Sequence, residues 1–280
     1  MTGTQHAGID FAWLLANLEI AEIPYGVDDS PTVGKVETFI LGPKAIYAAE
    51  AFVLGLFQLY PTVYFHKATR GAEKLFTELL MRLIRIVKEG SAKNTALPDN
   101  HPLVRFANAP DELENTLALD DTVVWGALSM MAEAADQTIA QFACRLRDRK
   151  LYKSIDVRTK VARHLDPNGE NTDDVIDKID LTCVRIEEKI SEWTSENGGV
   201  VPRVLIDKAK RSPYQPVEET KGPLDRINVR TAGDQLVDLK MRSSVVAALK
   251  PFKLFRVYVN DNDDAAREAV DQIVKGEMVP

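Results

Sequence analysis

The 280-residue chain carries only two cysteines and four histidines. Cys144 and Cys183 stand far apart, and neither belongs to a CxxC or Cys/His cluster. This leaves no basis for a disulfide framework or a zinc site and points to a reducing compartment. His6, His66, His101 and His164 are each isolated: none precedes an aspartate, and no two are spaced to chelate a metal from one helix face. GxxxxGK[ST], GxGxxG after a strand, GxSxG and HExxH are all missing, so the ATPase, dinucleotide, serine-hydrolase and zincin readings lose their anchors. Net positive charge is lacking too. At -7, bulk electrostatics oppose a protein that coats nucleic acid, and any anion site has to be built locally. No basic leader runs into a long apolar stretch, and we read no window as reaching the roughly 18 apolar residues of a membrane span. The expectation is a cytoplasmic protein with no membrane segment.

What is present describes an ordinary globular chain, 45% apolar and 28% charged, long enough to bury a sizeable core. Residues 9–20 read as a short helix and residues 36–40 as a strand. From Lys44 to Tyr60 apolar residues recur at helical spacing, and Pro61 kinks that helix or starts a new one. The clearest helix follows, with Leu75, Leu79, Leu83 and Val87 on one face and charges opposite. Residues 90–108 read as a loop or short helical excursion. Two helices follow, the first capped at Asp120 or Asp121, then an extended stretch over 151–157 and a long helix over about 173–196 that Gly198-Gly199 stops. From Pro202 the texture alternates or turns β-branched, with TAGDQ as a hairpin connection and a closing helix from Asp263. The expected fold is therefore mainly α with a C-terminal α+β unit: a helical body over 1–200 and a small α+β domain with a mixed sheet over 201–280.

Two clusters carry possible chemistry. In YPTVYFHKATRG, residues 60–71, Tyr60 and Tyr64 share a helix face and could present rings to a base or sugar, with His66 beside them and Lys67 in reach of phosphate. A packed tyrosine pair with a snorkelling lysine explains the same residues. In CRLRDRKLYK, residues 144–153, five cations crowd ten residues of an acidic chain. Capping of a helix C-terminus accounts for some of them, and a phosphate site for the excess.

The order VYFHKATRGAEKLF, LDDTVVWGAL, RLRDRKLYK, PRVLIDKAK, KGPLDRINVR and FKLFRVYV resembles the region downstream of the metal core in HD-domain deoxynucleoside triphosphate triphosphohydrolases, the sterile-alpha-motif/HD enzymes and their bacterial relatives. The resemblance runs from about Gly8 to Val274. It implies a helical HD-phosphohydrolase-type fold, a substrate pocket lined by Tyr60, Tyr64, His66 and Lys67, and a regulatory, allosteric nucleotide site drawing on Lys44, Arg149, Lys153 and Lys221. It also implies dNTP or GTP as ligands, and oligomers bridged by nucleotide or a partner HD subunit. That family uses a divalent metal held by His, a His-Asp pair and a further Asp; this sequence has no His-Asp pair, so no catalytic or metal residue is assigned and no cofactor is expected in this chain. The expectation is a truncated, C-terminal portion, inactive alone, or else a metal-free scaffold module that pairs with an HD subunit. Two further departures stand out: Leu56 replaces an arginine that faces substrate phosphate, and Glu19 lies near another arginine position at the regulatory base.

Overall fold

The computed structural model describes residues 9–25, 34–214, 224 and 226–278. The chain is mainly helical with small mixed sheets and folds as two compact units, each assembled from two stretches of sequence. Residues 1–66 and 210–253 form unit one; residues 67–209 and 254–280 form unit two. The division at residue 200 read from sequence texture is not the division of these units.

Unit one opens with helix α1 (Phe11–Ala16), whose first turn is capped by the Asp10 carboxylate accepting the Trp13 N–H at 2.8 Å. The expected helix to Ile20 ends early. Asn17 turns the chain, its side-chain amide donating to the Trp13 carbonyl, and strand β1 (Leu18–Tyr25) pairs antiparallel with β2 (Gly34–Leu41) from Leu18↔Leu41 to Tyr25↔Gly34. Leu18 and Ile20 fall on one face and Ala21 and Ile23 on the other, a period of two that a helical reading of 9–20 overrides. A 3₁₀ turn over Pro43–Ala45 leads into α2 (Ile46–Leu59). Pro61 has no N–H for the helical ladder, and the chain answers with a π-helical turn, Tyr60–Tyr64, in which the Phe65 N–H reaches the Tyr60 carbonyl at 2.7 Å. By length and composition the run Pro43–Tyr64 is apolar enough to cross a membrane, with mean hydropathy 1.3. This corrects the expectation that no such window exists. Its buried side contributes Ala45, Ala49 and Val53 to the core of unit one.

Unit two begins with α3 (Lys67–Lys88), which buries the expected stripe of Leu75, Leu79 and Leu83. Helices α4 (Pro102–Asn108), α6 (Asp121–Met131) and α7 (Gln137–Arg147) pack with it around Met131, Ile139 and Phe142, and the short α5 (Leu113–Leu117) lies against α4. Asp120 caps α6 by accepting the Val123 N–H at 2.8 Å. Strand β3 (Lys153–Asp156), α8 (Val157–Leu165), α9 (Asp173–Glu196) and β4 (Val204–Arg211) follow. The chain then returns to unit one for β5 (Asn228–Arg230), β6 (Leu236–Asp238), α10 (Leu239–Arg242) and α11 (Ser244–Ala248). Strand β7 (Phe252–Val259), which leaves unit one at Lys253, and α12 (Asp264–Met278) complete unit two, with Val257, Val259, Val270 and Val274 packed against Ile186 and Ile190 of α9.

The strands after Pro202 do not make one sheet. They divide between the order β1-β2-β5-β6 and the order β3-β7-β4. In the first, Leu41↔Val229 joins β2 and β5 in parallel; in the second, β3 and β7 run antiparallel. Long-range partners decide this, and alternation along one strand does not reveal them. The TAGDQ connection does join two antiparallel strands, Arg230↔Leu236. The residue that takes the left-handed conformation there is Asp234, at φ 62°. The adjacent glycine does not take it, and Asp234 also pairs with Arg230.

Candidate functional site

The π-helical turn gathers the aromatic residues of the first cluster. The Tyr60 and Tyr64 rings lie 5.8 Å apart, tilted by 49°; Tyr60 stacks on Phe65 at 5.7 Å, and Phe65 stacks on Phe252 at 5.0 Å. Phe65 is buried while Tyr64 is 52% exposed, so the row runs from the interior of unit one to its surface. Sequence reading took Tyr60 and Tyr64 as one α-helical face; the structure brings their rings together through a widened turn. His66 closes unit one, its N–H donating to the Val63 carbonyl at 3.3 Å.

Lys67 opens unit two, and the rest of the motif is structural there. Its carbonyl accepts the Tyr258 hydroxyl at 3.0 Å. A Cβ on Gly71 would lie 2.9 Å from the Tyr258 ring, so glycine is what admits the ring against α3. Arg70 forks onto Asp207, with Nε to Oδ2 at 3.0 Å and a second, shorter bond to Oδ1. Asp207 is fully buried, and Lys74 lies 3.9 Å from it. The hydrogen bond to Asp207 holds the Arg70 pKa above its ordinary value. Burial pushes the Tyr258 phenol up to about 12. The sequence reading counted Arg70 in the motif without giving it a role and did not single out Gly71.

The second cluster resolves cation by cation. Arg145 is largely buried and belongs to the fold: it donates to Asp261 at 2.8 Å, to Asn260 at 2.6 Å and to the Lys150 carbonyl at 3.0 Å, and lies 4.9 Å over the Tyr152 ring. The Arg145 bond holds the Asp261 carboxyl below the usual range, and Lys153 adds to that effect. Burial pushes the Tyr152 phenol up to about 12. Arg147 pairs with Asp148 at 2.9 Å. Arg149, Lys150 and Lys153 are exposed and form no ion pair among the described residues. Arg149 sits at φ 56°, the left-handed position that ends α7, its N–H donating to the Leu146 carbonyl at 3.3 Å. Two exposed cations thus lie on the connection from α7 to β3 and a third, Lys153, opens β3.

Of the other residues implied for the regulatory site, Lys44 is exposed on the 3₁₀ turn of unit one, and its carbonyl accepts the Trp13 indole N–H at 3.2 Å. Lys221 lies outside the described residues. Glu19 is not a bare carboxylate: Arg230 donates to it at 2.6 Å, and its Oε1 would lie 2.6 Å from a Cβ on Gly42. Among the described residues no three His, Cys, Asp or Glu side chains are gathered as a metal site requires.

Residues 35–119 match the family model described as the HD-associated region. That stretch is similar to HD-associated proteins. YwfO, an uncharacterized protein of Bacillus subtilis strain 168, is 22% identical over 241 residues, 81% of this chain and 48% of the relative. A phosphohydrolase from Bacteroides thetaiotaomicron shares the fold at 20% identity and TM-score 0.51, over 79% of this chain and 52% of that one. A hypothetical protein from Aquifex aeolicus does so at 20% identity and TM-score 0.50, over 83% and 47%. The chain therefore carries an HD-associated stretch over residues 35–119 and shares its fold with these solved structures, and it spans about half the length of the relatives it matches.

Proposed function

We propose that this chain is the HD-associated, nucleotide-sensing part of an HD-type phosphohydrolase of the dNTP triphosphohydrolase group, and that it hydrolyses no dNTP alone. The observation that carries the reading is the trio Arg149, Lys150 and Lys153, exposed and in no ion pair among the described residues of a chain whose net charge is -7. Arg145 and Arg147 spend their charge on Asp261 and Asp148; the remaining three exceed what a helix end requires, and like charges this close favour an anion among them. A triphosphate supplies that charge, and the motif order that the chain shares with dNTP triphosphohydrolases supports a nucleoside triphosphate, GTP or a dNTP, as its bearer. Tyr60 and Tyr64, with the exposed ring of Tyr64, are assigned to a second nucleotide contact.

In the enzymes whose motif order this chain resembles, nucleotides at the regulatory site bridge subunits, so the reading includes a nucleotide-dependent oligomer. Native mass measurement with and without GTP and dNTPs tests it. A mass increase in steps of whole subunits on nucleotide addition is expected; an unchanged mass with no bound nucleotide contradicts it.

A further inference from the structure

Unit one leaves an apolar face uncovered. Phe11 is 55% exposed, Ile20 65%, Phe39 69% and Phe52 40%. Ile20 and Phe39 stand directly opposite each other across the β1–β2 ribbon, and Phe11, Phe39 and Phe52 together line a cavity of about 260 Å³ that Leu14 and Leu18 share. The four side chains are therefore one patch. With aromatic side chains covering roughly 150–250 Å² each, they expose on the order of 400–500 Å² of apolar surface, as much as the largest patch of a typical monomer and about half of one side of a standard interface. A cavity rimmed by exposed aromatic rings is the form of an anchor site, where a partner's apolar side chain loses its water.

Two observations select the occupant. Phe39 and Phe52 lie within residues 35–119, the stretch that matches the HD-associated region. The chain also accounts for 48% of the Bacillus relative and 52% of the Bacteroides phosphohydrolase, so those proteins carry about as much polypeptide again. We infer that this face of unit one is the docking surface for an HD-bearing polypeptide, which seats an apolar side chain between Phe11, Phe39 and Phe52. The inference rests on the HD-associated reading above and adds where the contact is made.

The test co-expresses the tagged chain with the part of the Bacteroides phosphohydrolase that lies outside the matched residues, and quantifies the soluble complex recovered on the tag. The wild type is expected to bring that part into the soluble fraction. Phe39→Asp and Phe52→Asp should each lower recovery at least tenfold with circular dichroism unchanged, while Leu117→Asp, at a position 74% exposed in unit two, should leave it intact. Recovery unaffected by both phenylalanine variants, or lost equally with Leu117→Asp, overturns the docking surface and leaves the HD-associated reading standing. No recovery with the wild type overturns both. A dimer of the chain alone in sedimentation velocity, dissociated by Phe39→Asp while no phosphohydrolase part is bound, overturns the inference in favour of a second copy.

Discussion

The Tyr258 hydroxyl donates to the Lys67 carbonyl at 3.0 Å, and the same ring rests where a Cβ on Gly71 would stand. One tyrosine on β7 thus fixes the first turn of α3, the turn in which sequence reading looked for a ligand. Gly71→Ala should destabilise the protein: helix propensity gains about 1 kcal/mol, but overpacking against a buried ring costs roughly 1–3 kcal/mol. Tyr258→Phe should cost about 1 kcal/mol through the lost hydrogen bond. Urea unfolding reads both as a lower midpoint at unchanged slope.

Arg70→Ala should cost more, about 3–5 kcal/mol, because it strips the fork from a buried carboxylate. Asp207 is fully buried, and Lys74, at 3.9 Å, is too far to replace the fork. Replacing Arg70 and Asp207 together by leucine should recover much of that loss. A double variant as unstable as Arg70→Ala would show that the pair is not what the site needs.

His101 ties stability to pH. Its Nδ1 accepts the Leu103 N–H at 3.2 Å and so caps α4, and burial lowers its pKa. The unfolded chain therefore takes up a proton at a higher pH than the folded one. Stability is full above the unfolded value of about 6.5 and falls as pH drops from there towards the lowered folded value. His101→Asn keeps a cap without the titration. Thermal unfolding from pH 7.5 to 5.5 should show a steeper loss for the wild type than for the variant; parallel curves would contradict this.

The account also expects no dNTP hydrolysis by the purified chain with manganese, magnesium, cobalt, nickel or zinc. Activation of water needs a metal held by at least three protein ligands, and no His-Asp pair occurs in the sequence. Metal-dependent triphosphate release, abolished by a chelator, would overturn it.

Long, strongly periodic elements were legible from the sequence because their signal is local. The α3 stripe, the Asp120 cap and the 173–196 helix all lie where apolar spacing and turn residues put them. Short helices such as α5, α8 and α11 were missed, since five to nine residues give too few turns for a period to emerge. Small mixed sheets were legible, but the partners of the strands after Pro202 were not, because β5 meets β2, nearly 200 residues earlier, through one pairing at Leu41↔Val229. The cation cluster was visible as composition, but which of its members are already neutralised was not. Asp261 and Asn260, which take up Arg145, lie more than a hundred residues away. The exposed ribbon face around Phe39 gave no sign at all, because an apolar residue in a strand reads as core until its neighbours are known.

The measurement that tests the central claim most directly is calorimetric titration of the chain with GTP and dATP at low and high salt, on the wild type, Arg149→Ala and Lys153→Ala. The account predicts binding that weakens steeply with salt and a loss of about 1–3 kcal/mol in each variant, the size of one charge-assisted hydrogen bond. No heat of binding in the wild type at low salt, or equal affinity in all three proteins, would contradict it.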